Sequence, residues 1–168
     1  MYDFKTNLND NRLAEEAAHG LDGVIDKTVP EHSKHLYGLV VQYEDIDAGG
    51  IVYHSTYLNF AERARSALLR ASKFDVQHWL SEENQGFVIT HIDTDYLSPA
   101  KLHNRLIVET SCLQLGGASA LLQQNINSFD RGHIFARVMV KAVWVDIELG
   151  PRKFPEPLQM VLRSFQPK

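Results

Sequence analysis

Hydrophobic and polar positions alternate through most of the second half of the chain, which predicts β-strands from about residue 86 to 147. The clearest run extends from Ile134 to Val145, where one face is apolar and the other is mixed. Gly116-Gly117 and the segment from Asp130 to Gly132 have the composition of turns. An antiparallel meander is therefore expected for the last three strands.

The first half carries one strand and one long helix. The run from Tyr37 to Tyr43 is rich in strand-forming residues and stops at the acidic, glycine-bearing segment 44–50. Beyond it, Ser55 or Thr56 is a candidate helix cap. Apolar residues then recur at helical spacing on one face: Tyr57, Phe60, Ala61, Ala64, Leu68 and Ala71. The alanines indicate a helix that lies close against a sheet.

These elements predict an α+β fold in which an antiparallel sheet covers the long helix. A shorter helix is expected over 76–82, and another begins near Pro155 with an apolar stripe that includes Leu158 and Leu162. A lone sheet of this size has a free edge and a partly apolar outer face. Both features favour association with a second copy, so a homodimer is expected.

Residues 1–35 are predicted to be a polar, flexible N-terminal extension, and residues 36–168 to be the folded domain. The first segment is rich in charged residues and poor in large apolar ones, although Leu13, Ala14, Ala17 and Ala18 are spaced for a short helix. Gly20 and Gly23 then interrupt the chain beyond this short helix. Such a segment can bury little surface.

Length, charge and cysteine content narrow the class of protein. The chain has 168 residues, 44% of them hydrophobic, which is enough for one core. Its net charge of −4 argues against general nucleic-acid binding. We find no apolar run that could span a membrane and no signal sequence, so a cytoplasmic location is expected. The single cysteine, Cys112, fits a small buried side chain.

The densest group of reactive side chains lies between the first strand and the long helix, in residues 43–54. Asp47 is followed by Gly49 and Gly50, which allow a ligand to approach the backbone amides. The N-terminus of the next helix presents further unpaired N–H groups. A carboxylate beside such donors can attack a carbonyl or activate water while the amides stabilise an oxyanion. The residues alone equally fit a solvated turn in which Asp47 only caps the helix.

Other chemistry finds little support in the sequence. No G-x-S-x-G motif is present, and Cys112 has no activating neighbours in the sequence, so serine or cysteine hydrolysis is not expected. His32 and His35 have a ligand-like spacing but no further paired ligands, and we predict no metal and no cofactor. His78, His91 and His133 are interpreted as structural or surface residues.

The stretch VQYEDIDAGGIVYHSTYLNFAERARSALLR, residues 41–70, resembles the 4-hydroxybenzoyl-CoA thioesterase family and, more closely, its YbgC-type acyl-CoA thioesterase branch. A weaker similarity continues through residues 87–110. The resemblance implies a hotdog fold, in which a curved antiparallel sheet wraps a long helix. It also implies active sites at a homodimer interface, with tetramers common.

The resemblance implies roles for individual residues. Asp47 matches the catalytic carboxylate, as nucleophile or general base. His54 matches a histidine that positions the thioester or water, and Tyr43 matches a tyrosine that orients the carboxylate. The backbone from Gly50 to Tyr53, comprising Gly50, Ile51, Val52 and Tyr53, is expected to bind the substrate oxyanion.

The function implied is hydrolysis of an acyl-CoA thioester to a free acid and CoA, with an acyl carrier protein thioester as another substrate to consider. Two alternatives are a hotdog dehydratase acting on 3-hydroxyacyl thioesters and a non-catalytic acyl-CoA-binding module. The sequence departs from the family at Ile46 and at Leu102–Asn104. Candidate contacts to CoA phosphates are Arg63, Arg65, Arg70 and Lys73, and candidates for the pocket mouth are Tyr96, Ser98 and Pro99.

Overall fold

A computed structural model of the protein describes residues 4–28 and 32–167. Its helices and strands alternate in a mixed order, with two helices of 16 residues each in the first half. In chain order they are α1 (Phe4–His19), β1 (Val24–Asp26), β2 (Lys34–Val40), α2 (Thr56–Ala71), α3 (Val76–Ser81), β3 (Gln85–Tyr96), β4 (Arg105–Leu115), β5 (Ser119–Ser128), β6 (Ile134–Asp146), β7 (Gly150–Pro151) and α4 (Glu156–Ser164).

The strands form one antiparallel sheet in the order β1-β2-β4-β5-β6-β3, with the short β7 beside β6. The strands β4, β5 and β6 are the predicted meander, and turns at 116–118 and 129–133 connect them. In contrast, β3 pairs with β6 and not with the strand that comes after it in the chain. Strand β3 therefore forms one edge of the sheet.

Helix α2 lies against one face of this sheet and contacts β1, β2, β4, β5 and β6. Its face toward the strands is lined by small side chains, and Ala61, Ala64 and Ala67 are fully buried. Leu106 and Val108 of β4 pack in the same core cluster as Ala61 and Ala64. The predicted α+β arrangement of a long helix covered by a sheet is thus confirmed.

Helix α1 covers part of the opposite face. Ala14 and Ala17 are fully buried in a cluster with Leu36 of β2 and Ile107 of β4. Ile107 alternates with Leu106 and Val108 along β4, so it points away from α2. Backbones approach closely here, since a Cβ atom added at Gly38 would lie 2.6 Å from the Cα atom of Ala18.

The N-terminal segment is therefore more closely packed than its polar composition predicted. Of residues 1–35, the described parts include α1 and β1, and β1 pairs with β2 from Val24 opposite Leu36 to Asp26 opposite Lys34. Small side chains explain the difference, because Ala14 and Ala17 bury little area each but allow close helix-to-sheet contact. The domain boundary at residue 35 stays a prediction.

A second core cluster joins the end of α2 to α4 and includes Leu68, Trp144, Leu158 and Cys112. Cys112 is fully buried, as its alternating sequence context predicted. Burial raises the pKa of this thiol to about 11, partly opposed by its hydrogen bond to the carbonyl of Gln114. Cys112 is consequently a core residue without nucleophilic character at neutral pH.

None of the helices in the described ranges is both long and apolar enough to cross a membrane.

The close contact at Gly38 generates a stability prediction. We expect Gly38→Ala to lower the free energy of unfolding by about 1–3 kcal/mol, because the new methyl group displaces α1 from the sheet. Urea denaturation measures the loss, and hydrogen exchange should show faster exchange in α1. Gly117→Ala is the matched control, since a Cβ atom there meets nothing within 4 Å. Equal stability of the two variants would contradict this packing.

Candidate active site

The chain leaves β2 through a 3-10 turn over Tyr43–Asp45. Asp45 is buried, and its carboxylate Oδ2 accepts the backbone N–H of Gln42 at 2.7 Å. The N–H of Asp45 in turn donates to the carbonyl of Gln42 at 3.1 Å. The first aspartate of the acidic loop is therefore used to hold the turn.

Asp47, the second aspartate, begins a tight turn and its side chain is exposed. Its carbonyl accepts the N–H of Gly50 at 3.0 Å, and its N–H donates to the carbonyl of Ile51 at 2.9 Å. Carboxylate oxygen Oδ1 accepts the N–H of Gly49 at 2.7 Å. Gly50 has φ +77°, a conformation that glycine adopts without strain. The two glycines thus form the turn that fixes the Asp47 side chain.

The residues that follow the Asp47 turn are held by two backbone hydrogen bonds. The N–H of Val52 donates to the carbonyl of Ala100 at 2.9 Å, and the N–H of Tyr53 donates to the carbonyl of Asp45 at 2.9 Å. The first bond joins the Asp47 turn to the connection between β3 and β4, and the second joins it to the 3-10 turn that holds Asp45. The position of the carboxylate therefore depends on the fold and not on a mobile loop.

A cavity of about 370 Å³ opens beside this turn. Its wall combines residues of the acidic loop, the start of α2 and the connection after β3. The lining residues are Asp47, Ile51, Val52, Tyr53, His54, Tyr57, Tyr96, Leu97, Ser98 and Pro99. Five predicted site residues, together with the three predicted mouth residues, thus line one cavity.

Aromatic rings surround His54 in this wall. The Tyr53 ring lies 4.3 Å from the imidazole, centroid to centroid, and the Tyr96 ring lies 6.3 Å from it edge-on. The hydroxyl of Tyr96 donates to the backbone carbonyl of His54 at 2.9 Å. Tyr96 therefore fixes the His54 backbone, while the imidazole remains exposed beside the cavity.

Tyr57 lines the same cavity, although its spacing in the sequence indicated only a core position on α2. Its hydroxyl oxygen accepts the N–H of Ala100 at 2.9 Å. Burial raises the pKa of the Tyr57 phenol, which this hydrogen bond partly offsets and the nearby Tyr96 reinforces. The phenol is therefore neutral near pH 7 and keeps its proton as a hydrogen-bond donor. No sequence pattern separates this dual role from simple burial.

Two predicted site residues do not line the cavity. Tyr43 is 74% exposed, its ring lies edge-on to His103 at 6.1 Å, and no hydrogen bond joins its side chain to that of Asp47 within the protomer. Gly50 is also outside the wall and acts through the turn. The role of Tyr43 in orienting Asp47 thus finds no support in the single chain.

The backbone N–H groups that are free to bind an oxyanion differ from those predicted. The N–H groups of Gly50, Val52 and Tyr53 already donate within the protomer. Across the described part of the chain, the N–H groups of Ile51, His54 and Ser55 donate to no protein acceptor. Ser55 is the N-cap residue of α2, but its side chain makes no capping hydrogen bond. Free amides are therefore present at Ile51, within the predicted set, and at His54 and Ser55, which follow that set and lie at the helix start.

Of the four candidate phosphate contacts, Arg65 is directed inward and the other three are exposed. Arg65 faces the sheet, where its guanidinium donates to the Gln124 side chain at 2.7 Å and also pairs with Glu62. Arg70 pairs with Asp22 at 2.6 Å. Arg63 and Lys73 are exposed. The inward position of Arg65 does not fit a role in contacting a bound phosphate.

The histidine near the N-terminal segment is a core residue. His35 is fully buried, and its Nε2 lies 2.7 Å from the carbonyl of Asp22. Burial is the main cause that lowers its pKa, so the imidazole is neutral near pH 7. Within the ranges that the structure covers, no three His, Cys, Asp or Glu side chains are grouped to hold a metal ion.

Fold and cavity together define a protein of the hotdog class, in which a long helix is wrapped by an antiparallel sheet. A 1,4-dihydroxy-2-naphthoyl-CoA thioesterase from Synechocystis has the same fold, with a TM-score of 0.73 and 21% identity over 77% of this chain and 96% of that chain. A probable thioesterase from Bartonella henselae has a TM-score of 0.67 and 30% identity over 73% and 99% of the two chains. The predicted hotdog fold is thereby confirmed.

The chain belongs to the thioesterase-like superfamily, whose family model matches residues 41–165. The acyl-CoA thioesterase YbgC of Haemophilus influenzae is 38% identical over 127 residues, which cover 75% of this chain and 92% of that protein. The YbgC acyl-CoA thioesterase of Helicobacter pylori is 40% identical over 66% of this chain and 80% of that protein. The resemblance first seen in residues 41–70 is confirmed.

The positive φ of Gly50 generates a prediction for the Asp47 turn. We expect Gly50→Ala to lower the free energy of unfolding by about 1 kcal/mol, because a residue with a Cβ atom is strained in this conformation. Chemical denaturation measures the effect. Gly132→Ala is the matched control, since it lies in a turn at ordinary φ and its Cβ atom would make only normal contacts with Asp130. A loss no larger than that of the control would contradict the strained position.

Proposed function

We propose that the protein hydrolyses acyl-CoA thioesters to a free acid and CoA. The observation that carries this proposal is the exposed Asp47 carboxylate, held by the Gly49 amide in a cavity at the start of α2. Relatives named acyl-CoA thioesterases cover most of the chain and support the substrate class. A thioester of acyl carrier protein presents the same reacting group and is a second substrate to test.

Asp47 is proposed to act as the nucleophile or the general base. Its Oδ1 is occupied by the Gly49 N–H, which fixes the plane of the carboxylate. Among the described residues, no donor engages Oδ2, so this oxygen is available to a water or a thioester carbonyl in the cavity. A carboxylate positioned in this way can take a proton from water or attack the carbonyl carbon directly.

The developing oxyanion needs hydrogen-bond donors that are already in place. The unpaired N–H groups of Ile51, His54 and Ser55 meet this need better than those of Val52 and Tyr53, which the fold already uses. The amides of His54 and Ser55 also lie at the N-terminal end of α2, where the helix dipole favours negative charge. We therefore shift the proposed oxyanion site toward the helix start.

His54 is proposed to position the thioester or the water. Its backbone is fixed by the Tyr96 hydroxyl and its ring by the packed Tyr53, so the imidazole has a defined place in the cavity wall. Tyr43 remains a candidate for orienting Asp47 only if a second protomer redirects its exposed ring. The cytoplasmic location also stays a prediction.

Asp47→Asn tests the assignment of the carboxylate. We expect turnover of the best acyl-CoA substrate to fall by roughly 10²- to 10⁴-fold, the range for loss of a positioned proton-transfer group. The asparagine Oδ1 still accepts the Gly49 N–H, so fold and turn should be kept. Release of free thiol from acyl-CoAs of different chain lengths and aryl groups measures the rate.

Glu44→Gln is the matched control, because it removes one exposed carboxylate from the same loop outside the cavity wall. It should keep near wild-type turnover. If Asp47→Asn folds and turns over at the wild-type rate, Asp47 is not the catalytic group. If wild type binds acyl-CoA but releases no thiol, the alternative of a binding module is favoured.

We also propose a homodimer formed through β3. This strand of twelve residues pairs only with β6 in the protomer, so one of its edges carries free backbone groups. Large apolar side chains on it are exposed, with Val88 at 45%, Ile89 at 37% and Ile92 at 39%. Exposure of both backbone and apolar groups is typical of a strand that pairs with another copy.

Ile92→Lys tests this interface. We expect the variant to shift toward monomer, because a lysine in the contact must be desolvated without a partner. Light scattering after size-exclusion chromatography measures the mass. Met160→Lys is the matched control, as it places the same charge on an apolar side chain of α4 that is 67% exposed. An unchanged mass for Ile92→Lys would place the interface elsewhere.

A further inference from the structure

Ser98 and His133 form a hydrogen-bonded pair beside the Asp47 cavity. Ser98 is half-buried and lines the cavity wall, and its Oγ is in hydrogen-bond contact with the imidazole Nε2 of His133. His133 lies in the turn between β5 and β6, while Ser98 lies in the connection after β3. The pair thus joins two separate connections at one point of the wall.

The backbone near Ser98 is held independently of this pair. The N–H groups of Leu97 and Ser98 both donate to the carbonyl of Phe135, at 2.9 Å and 3.1 Å. These two bonds fix the direction in which the Ser98 side chain leaves the backbone. A hydrogen bond between accessible side chains adds little to stability by comparison. The pair is therefore not needed to anchor the connection.

His133 is held just as firmly. Its ring packs edge-on against Phe135, with centroids 4.8 Å apart. The backbone N–H of His133 donates to the Ser128 hydroxyl at 3.0 Å. The Ser128 hydroxyl donates to the Asp130 carboxylate, which also accepts the N–H of Gly132. These hydrogen bonds, with a smaller effect of the His133 charge, lower the pKa of Asp130. The imidazole is consequently presented to Ser98 by an ordered turn.

A serine hydroxyl has one proton and two lone pairs, so the contact with His133 leaves hydrogen-bonding capacity for a ligand. Because the imidazole holds the hydroxyl in one direction, the remaining capacity is oriented as well. The contact between Ser98 and His133 is exposed to solvent, which places the hydroxyl at the solvent side of the cavity.

This position indicates which part of a substrate would pass Ser98. A cavity of about 370 Å³ is too small for a whole acyl-CoA, so part of the substrate must extend through the mouth. In a CoA thioester the thiol half leads away from the reacting carbonyl toward the nucleotide. It carries secondary amide groups close to the sulfur, which both donate and accept hydrogen bonds.

On the basis of the proposed function, we propose that Ser98 binds an amide of the thiol half of the substrate and that His133 is its positioning residue. CoA and acyl carrier protein thioesters share this amide-bearing arm. The pair therefore recognises the carrier and leaves the choice of acyl group to other parts of the protein.

The experiment compares three thioesters of one acyl group, attached to CoA, to pantetheine and to ethanethiol, which lacks the amides. For Ser98→Ala we expect kcat/KM to fall by about 3- to 10-fold with the CoA and pantetheine thioesters, mainly through KM, as for the loss of one neutral hydrogen bond. The ethanethiol ester should be unaffected, and Ser98→Thr should restore most of the loss.

The role of His133 is tested in a double-mutant cycle. His133→Phe keeps the aromatic contact with Phe135 but removes the hydrogen bond to Ser98. We expect it to raise KM for the amide-bearing substrates in the wild-type background and to have no further effect in Ser98→Ala. His78→Phe is the matched control, since His78 is an exposed histidine on α3 outside the cavity wall.

Several outcomes would overturn the inference. Equal losses with all three thioesters would mean that the substitution disturbs the reacting centre, and unchanged KM values would mean that Ser98 touches no substrate. Additive effects of the two substitutions would separate His133 from Ser98. In each of these cases wild type still releases thiol, so the proposed hydrolysis stands. If wild type hydrolyses none of the thioesters, the proposed function itself fails.

Discussion

Close contact between the alanine-lined face of α2 and the sheet is the constraint on which the site depends. Ala61, Ala64 and Ala67 leave no room between helix and strands, so a larger side chain there would push the helix away. The buried Gln124 amide donates to the carbonyl of Ala61 at 2.9 Å and to the hydroxyl of Thr110 at 3.1 Å. These contacts fix the helix in translation and rotation, and thereby the place where its free amides meet the acidic loop.

Much of this arrangement could be predicted because it depends on local patterns. Alternation located β3 to β6, the helical spacing of alanines located α2, and Pro155 preceded α4, which begins at Glu156. The order of carboxylates, glycines and His54 located the cavity wall. Which aspartate is buried was not predictable from the pattern alone, since it depends on the N–H of Gln42 that Asp45 accepts. The family resemblance separated the two.

The remaining features depend on contacts between distant residues. Docking of α1 requires Gly38 to lie close to Ala18, and no sequence pattern indicates that these two residues are in contact. The amides of Val52 and Tyr53 were expected to be free, but the turn uses them because backbone groups that lose water must find partners. The sequence pattern places Arg65 on the solvated face of α2, yet its long side chain reaches Gln124 of β5.

Burial of Cys112 has a practical consequence for spectroscopy. It is the one cysteine of the chain, and its inaccessible, protonated thiol will not compete for maleimide or methanethiosulfonate reagents in the folded protein. A cysteine introduced at an exposed position therefore becomes a single labelling site on each protomer without prior removal of the natural thiol. Pairs of spin labels or fluorophores could then measure distances across an assembly in an otherwise unaltered protein.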